Sequence, residues 1–295
     1  MRRILRRLGF PKSRYYDWKR RGEQERLEDE FPGRSRGVYE ILPTEREAVI
    51  AYALAHPREG YRRLAWMMVD EDVAYVSPSS VYRILNDADL LYRWKRSRKA
   101  GKPPPEPTGP NERWHTDIMY LRIEDTWYFL VTVLDAYSRY VVHWDLLTSM
   151  SAAEVRVVIH DALKKTGASP EIVTDNGSQF TAKDFRGLVR DFDLEHIRIR
   201  TYHPESNGKV ERFHRSTREA LDEKELSNLG KAREIIGRWV EFYNGSRLHA
   251  GLNYLSPADY WDGDPQARLQ ERKEKLERAR ERRENINRQR LQEAA

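Results

Sequence analysis

Cysteine is absent from all 295 residues of this sequence. Its absence excludes disulfide bonds, thiolate zinc sites and zinc fingers built from cysteine and histidine. Long apolar runs are also missing, because no stretch approaches the ~20 residues that a membrane-spanning helix needs. The arginine-rich start is not followed by the apolar core of a secretory signal. We therefore expect a cytoplasmic protein that has no membrane partner.

Acidic residues are missing from two local segments, although the whole chain carries a net charge of only +6. The first segment is the start, with arginine at positions 2, 3, 6 and 7, and the second is the run 92–99. Basic patches of this kind favour a polyanion partner, although a solvated basic surface would have the same composition. The second patch supplies candidate DNA contacts at Arg93, Lys95, Arg96, Arg98 and Lys99.

The chain is long enough for two or three small domains. Proline, glycine and charge patterns divide it into six segments. They are a basic leader with a possible helix pair (1–43), a helical unit (44–92), a basic proline-rich linker (93–110), a mixed segment (111–225), a helical tail (226–262) and a charged helix (263–295). We expect the last helix to be solvated, with DNA backbone contact or weak self-association as alternatives.

The helical unit 44–92 is predicted to contain three helices. Thr44 followed by Glu47 predicts a capping box at the start of the first, and 61–69 forms the second. Ser77 followed by Pro78 predicts the N-cap and first turn of the third. Helices in this order are typical of helix-turn-helix DNA-binding modules, but also of a small bundle that packs on its neighbour. The residues of the third helix expected to be exposed are Ser79, Ser80, Tyr82 and Arg83.

The mixed segment 111–225 begins with three strand-like runs at 114–123, 127–134 and 139–146. Aromatic and β-branched residues dominate all three, as strands prefer. Helices at 151–164, from a Thr181 cap to 189 and at 205–224 then alternate with short strands at 172–174 and 194–199. This order predicts an α/β fold with a mixed sheet.

Three acids stand out in this mixed segment because each lies where an element would present a carboxylate. Asp117 lies inside the first strand-like run, Asp175 closes a short apolar run, and Glu211 lies near the start of a helical pattern. Three acids from two strands and a helix can hold two divalent ions for phosphoryl transfer on nucleic acid. Hard oxygen ligands favour Mg²⁺ or Mn²⁺ over zinc. Taken singly, each acid could equally be an exposed or turn-capping carboxylate.

The segments that contain these acids, together with 133–139, resemble the integrase core of bacterial insertion-sequence transposases. The resemblance covers roughly residues 44–262 and implies a ribonuclease-H-like catalytic core. It also implies that Asp117 bridges two metal ions, that Asp175 binds one of them and that Glu211 binds the other. Relatives often have threonine two residues after the first acid, where this chain has Met119. Short matches at 243–244, 247–249 and 256–257 resemble the tail of the same family.

The resemblance implies a DNA transposase that cuts element ends and joins them to target DNA. Its partners would be double-stranded DNA and at least a second copy of the chain, with an upstream reading frame as a possible fused domain. Such a protein would be associated with the bacterial nucleoid. A ribonuclease-H-type nuclease would share the acids but release its cut product without joining it. A DNA-binding regulator derived from a transposase would need no metal, and a defective copy is disfavoured by the intact acids.

The helix that carries Glu211 also predicts DNA contacts. Asn207, Glu211, Arg215 and Arg218 share one face at helical spacing, so that the arginines would position DNA beyond the metal ligand. Lys209 is a further candidate in the same turn. We expect His203 and His214 to be packing or surface residues. Between the second and third strand-like runs, Asp135 and Arg139 are expected to form a structural salt bridge.

Overall fold

The computed structural model describes residues 12–23, 37–91, 106–198, 208–222 and 224–293. Two compact units are recognised in the chain, one formed by Met1–Leu42 with Arg280–Ala295 and one by Pro43–Ala279. The described part of the first unit includes helix α1 (Lys12–Glu23) and the end of the last helix. In that unit the Asn287 amide donates to the carbonyl oxygens of Val38 and Glu40.

The second unit begins with helices α2 (Pro43–Ala55), α3 (Tyr61–Asp70) and α4 (Pro78–Asp87). Ser77 caps α4 as predicted, since its hydroxyl accepts from the Ser80 N–H at 3.3 Å. Two details were wrong. Helix α2 already begins at Pro43, so Thr44 lies in its first turn, and Ser80 is buried, with its hydroxyl accepting from Arg83.

A five-stranded sheet follows, in the order β3-β2-β1-β4-β5. Strands β1 (Arg113–Ile123), β2 (Thr126–Asp135) and β3 (Val141–Leu147) are antiparallel, and β4 (Glu171–Thr174) and β5 (His196–Arg198) run parallel to β1. This arrangement confirms the predicted mixed α/β sheet. The third strand starts two residues later than predicted because Arg139 adopts a left-handed backbone with φ 62°.

Helices cover both faces of the sheet. The remaining elements are α5 (Ala152–Thr166), α6 (Ser178–Thr181), α7 (Lys183–Asp191), α8 (Gly208–Leu221), α9 (Leu229–Gly245), α10 (Pro257–Trp261) and α11 (Pro265–Glu293). Alternation along β2 sends Val131 and Val133 to the core beneath α5 and α7, and Leu130 and Leu134 to the core beneath α8 and α9. Each side of the sheet therefore carries an apolar core that helices cover.

Of two further helix caps predicted in this unit, one is confirmed and one is wrong. The Ser151 hydroxyl caps α5 as predicted, accepting from the Glu154 N–H. The predicted Thr181 cap was wrong, because Thr181 ends α6 and its hydroxyl donates to the Ser178 carbonyl at 3.2 Å. Ala182 separates α6 from α7 with an extended backbone.

The expectation of a solvated last helix was wrong for its first half, which belongs to the second unit. Arg272 of α11 is only 2% exposed and forms two hydrogen bonds to the Asp70 carboxylate of α3. Lys275, one turn later, donates to Asp72 at 2.6 Å. Long-range partners at the end of α3 thus bury cations that sequence periodicity places on an exposed face. Within the described residues, no helix is long and apolar enough to cross a membrane.

Candidate active site

Asp117 lies in the middle of β1, where Thr132 of β2 is its cross-strand partner. Its Oδ1 accepts from the Ile118 N–H at 2.9 Å, and its side chain is 20% exposed. The Thr132 hydroxyl is buried and lacks a hydrogen-bond partner among the residues described. Because cross-strand partners point to the same face, both side chains turn oxygen atoms toward one place beside the sheet. A polar ligand at this place would satisfy both.

Asp175 comes directly after β4, the strand that runs parallel to β1. Continuing the pairing of His115 with Val173 by two residues brings Asp175 level with Asp117. Neighbouring strands lie about 4.8 Å apart, so this register places the two carboxylates at the same height on adjacent strands. The Asp175 Oδ1 accepts from the Gly177 N–H at 2.9 Å, which ties the exposed acid to the start of α6.

Glu211 is exposed on the first turn of α8, the helix that packs against β1. His214, one turn further along, is buried, and its Nδ1 lies 3.4 Å from the Asp117 Oδ2. Since residues three apart share a helix face, this contact brings the Glu211 turn toward Asp117. The His214 Nε2 is buried and has no hydrogen-bond partner in the described part of the chain.

The prediction that His214 is a packing or surface residue missed its contact with Asp117. Its spacing from Glu211 was the available signal, but that signal is weak without the helix-to-strand packing. Over the described ranges, no group of three or more histidine, aspartate or glutamate side chains is close enough together to hold a metal ion. The structure therefore places the three acids on adjoining elements but does not assemble them into one ligand set.

The predicted DNA contacts fall into three groups. Arg215 and Arg218 are exposed on α8, on the side of Glu211, as the helical spacing predicted. Lys209 instead has partners within the protein, donating to the Ala136 carbonyl at 2.7 Å and forming an ion pair with Glu106. The others lie outside the described residues, namely Arg93, Lys95, Arg96, Arg98, Lys99 and Asn207. His203, which was expected to be a packing or surface residue, also lies outside them.

The expected salt bridge between Asp135 and Arg139 is not observed in the residues that the structure describes. The Asp135 carboxylate instead accepts from the Asn111 N–H and from both the N–H and the hydroxyl of Ser138, at 2.7–2.8 Å. Burial raises the pKa of Asp135 despite these hydrogen bonds. Neutral donors from Asn111 and Ser138 therefore hold the Asp135 carboxylate in place of the Arg139 guanidinium.

The tail motif also organises the core. The Asn244 side chain of α9 forms a pair of hydrogen bonds with the Val141 backbone, accepting from its N–H at 2.9 Å and donating to its carbonyl at 3.1 Å. This contact replaces a strand partner at the start of β3. It fixes α9 against the sheet and thereby supports α8, which lies beside α9.

Comparisons with known proteins agree with this architecture. Two profiles of the Integrase core domain match residues 107–204 and residues 193–257. A protein of insertion element IS476 from Xanthomonas euvesicatoria is 28% identical, with 80% of this chain and 72% of that protein covered. An IS407 protein from Burkholderia multivorans is 29% identical, covering 77% of this chain and 87% of that protein.

The IS904 transposase of Lactococcus lactis is also 29% identical, over 52% of this chain and 62% of its own length. Among solved structures, the HTLV-2 integrase catalytic core domain in complex with magnesium matches at 18% identity and a TM-score of 0.44, covering 52% of this chain and 97% of that one. The integrase core profiles and the insertion-element relatives agree with each other and with the mixed sheet. The chain belongs to the bacterial insertion-sequence transposases that contain an integrase core domain.

Proposed function

We propose that this transposase cuts the ends of its element and joins them to target DNA through Asp117, Asp175 and Glu211. The observation that carries the proposal is the level register of Asp175 with Asp117, with α8 held against the same strand by the contact between His214 and Asp117. The polynucleotidyl transfer expected of the family needs carboxylates at this kind of junction.

The residues at this junction fit Mg²⁺ or Mn²⁺. All three acids offer carboxylate oxygens, which these hard cations prefer. Asp117 keeps Oδ2 free of backbone donors, and the buried hydroxyl of its cross-strand partner Thr132 has no hydrogen-bond partner among the described residues. When bound, two such ions would lower the pKa of the attacking water or 3′-hydroxyl and stabilise the leaving oxygen. Asp117, Asp175 and Glu211 would hold these ions.

The protein's own side chains would do the positioning. His214 presents Nδ1 to the Asp117 Oδ2 and so orients that carboxylate. The backbone N–H groups of Ile118 and Gly177 hold one oxygen of Asp117 and of Asp175 respectively. Arg215 and Arg218, exposed beyond Glu211, would contact the DNA backbone. No covalent protein intermediate is required, because water or a DNA hydroxyl is the nucleophile.

An element has two ends, so joining both of them calls for at least two copies of the chain on one DNA complex. The helical unit Pro43–Asp87 is proposed to contact DNA through α4, where Tyr82 and Arg83 are exposed. Because its substrate is DNA, we place the protein on the bacterial nucleoid.

The test uses the full chain, labelled end DNA, Mg²⁺ and a target plasmid. Asp117→Asn, Asp175→Asn and Glu211→Gln should each reduce strand transfer by about 10³-fold, because metal ions contribute several kcal/mol to such transition states. End binding should remain, and calorimetry should show weakened Mg²⁺ binding. Asp125→Asn, in the exposed β1–β2 turn, is the matched control and should join ends normally.

Three results would contradict the assignment. Normal joining by Asp175→Asn would remove that acid from the site. Cutting without joining by the wild type would indicate a nuclease. Binding that does not depend on metal, without cutting, would indicate a regulator.

A further inference from the structure

The charges of four arginines act on the buried His249. Burial, together with the charges of Arg247, Arg139, Arg63 and Arg212, lowers the pKa of His249 to about 2. The arginines come from four separate places, which are the chain after α9, the β2–β3 turn, α3 and α8. His249 therefore remains neutral, and the positive charge of this group is carried by the arginines alone.

Arg139 is the member with the fewest partners. Its guanidinium packs against Gly251 so closely that a Cβ there would lie 2.7 Å from Nη2. Its Nε is buried without a hydrogen-bond partner, and no ion pair to Arg139 is found among the described residues. Burial lowers the pKa of Arg139. Because an uncompensated buried cation costs several kcal/mol, this position is suited to an anion that the described residues do not supply.

Arg247 has only neutral hydrogen-bond partners. Its Nη2 donates to the Ser216 hydroxyl at 3.2 Å, its Nη1 lies 3.5 Å from the His249 Nε2, and its Cζ stands 5.7 Å from the centre of the Tyr243 ring. These contacts fix the direction of the guanidinium without neutralising it. The planar fork retains donors suited to the oxygens of a phosphate.

The nearby acids are already engaged or distant. Glu59 forms an ion pair with Arg63, and Glu106 forms one with Lys209. Glu106 also raises the pKa of Arg139, and Glu59 and Glu219 raise that of Arg247, but burial has the larger effect and lowers both pKa values. Arg139, Arg212 and Arg247 therefore form a local excess of positive charge in the described part of the chain.

The position of this group relative to the acids indicates which anion it would bind. The β2–β3 turn is level with the start of β1, since the Ala136 N–H donates to the Arg113 carbonyl at 2.9 Å. Asp117 lies four residues further along β1, which corresponds to roughly 13 Å. A DNA strand with one phosphate at the catalytic acids could therefore present another phosphate of the same backbone near the β2–β3 turn, which carries Arg139.

We propose that Arg139, Arg212 and Arg247 form a phosphate site that holds the DNA backbone a few nucleotides from the reacting phosphate. The choice of DNA as the source rests on the proposed function, whereas binding of a phosphate group does not. The site positions DNA and takes no part in bond making or breaking. Gly251 is part of its construction, because any larger residue would displace the Arg139 guanidinium.

The first experiment uses inorganic phosphate and the full-length protein. Phosphate should raise the melting temperature of the wild type above that in chloride of equal ionic strength. Arg139→Met should abolish this rise and, in chloride, melt at or above the wild-type temperature, because an unpaired buried charge has been removed. Arg122→Gln, which changes an exposed arginine near the end of β1, should keep the wild-type response.

The proposal would be overturned if the melting temperature of the wild type did not respond to phosphate and Arg139→Met were strongly destabilised. Arg139 would then have a partner inside the protein. Arg212→Gln provides a second test if Arg139→Met does not fold, because Arg212 is exposed. It should weaken the phosphate response without lowering the melting temperature in chloride.

The second experiment measures affinity for end DNA at several salt concentrations. Each lost phosphate contact should reduce the slope of log affinity against log salt by about 0.9. Arg139→Met and Arg212→Gln should each do so and raise the DNA concentration needed for half-maximal joining, while the rate at saturating DNA changes little. A phosphate response with unchanged DNA affinity and slope would overturn the assignment to DNA. If the wild type joins no ends, the proposed function fails, but the phosphate and affinity measurements still decide this site.

Discussion

Helices α8 and α11 are both rich in arginine, yet their arginines have opposite surroundings. On α11, Arg272 is buried and saturated, with two hydrogen bonds to Asp70, a 2.8 Å hydrogen bond to the Tyr254 carbonyl and the Trp66 ring 5.1 Å away. On α8, Arg215 and Arg218 are exposed and form no ion pair in the described part of the chain. The same residue type therefore has a structural role on one helix and remains available to a ligand on the other.

The two helices carry the same charged residue type, so charge does not distinguish the structural role from the availability to a ligand. The number of hydrogen-bond and ion-pair partners within the protein does. A buried guanidinium with a complete set of acceptors contributes its interaction energy to the fold. A guanidinium without acceptors does not stabilise the folded state, and it remains available to bind a ligand. The acids follow the same division, since Asp135 is saturated by local donors while Asp117 keeps an oxygen available.

The largest expected effect tests the saturated member. Arg272→Ala should lower the free energy of unfolding by about 3 kcal/mol, because it leaves Asp70 partly buried beside apolar residues. Lys273→Ala on the exposed side of the same helix is the control and should change it by less than about 0.5 kcal/mol. Urea unfolding measures both. Equal stability of the two variants would mean that the ion pair between Arg272 and Asp70 contributes nothing to the free energy of unfolding. The proposed difference between the arginines of α8 and α11 would then be wrong.

The second effect tests the unsaturated members. Replacing both Arg215 and Arg218 by glutamine should weaken end binding and joining together, and should reduce the salt slope by up to ~2 units. The melting temperature should be almost unchanged, because neither side chain has an ion-pair partner in the described structure. Affinity at two salt concentrations, measured beside a melting curve, checks this. Unchanged affinity and slope would assign both arginines to the solvated surface.

The smallest effect measures the electrostatic cost of the arginines around His249. Burial and these charges depress the pKa of His249 from 6.5 to about 2, so the unfolded chain takes up a proton below pH 6.5 while the folded protein does not. Stability should therefore fall by roughly 1.4 kcal/mol for each pH unit below that value. His249→Gln should remove this part of the decrease.

Urea unfolding at pH 7.5 and pH 5.5 gives the measurement. His160→Gln on α5, whose side chain is 30% exposed, is the matched control and should keep the wild-type pH dependence. If His249→Gln and the wild type lose the same stability between the two pH values, the arginines do not crowd His249 in solution.

Local signals in the sequence were the most reliable guides. Ser77 and Ser151 were predicted as helix caps and confirmed, because a cap needs only its own side chain and a backbone N–H three residues on. Thr44 and Thr181 carry the same local signal but do not cap, since proline starts α2 and an extended Ala182 separates α6 from α7. The mixed sheet was predictable from the order of strand and helix patterns.

The roles of particular charges were not predictable in this way. The level register of Asp117 with Asp175 depends on the parallel pairing of β1 with β4, which joins segments far apart in the chain. The contact between His214 and Asp117 depends on how α8 packs across the sheet. The burial of Arg272 depends on Asp70, which is 202 residues away.

By itself the sequence determined the types of elements, most of their ends and the three acids that carry the proposed chemistry. Periodicity, capping and strand preference act over a few residues and can be read along the chain. Only the tertiary structure decided which cations are paired and which are not, and hence that Arg272 holds α11 to α3 while Arg139 has no ion pair among the described residues. The physical reason is that desolvation and pairing depend on neighbours brought together by folding, and those neighbours leave no mark in the local pattern.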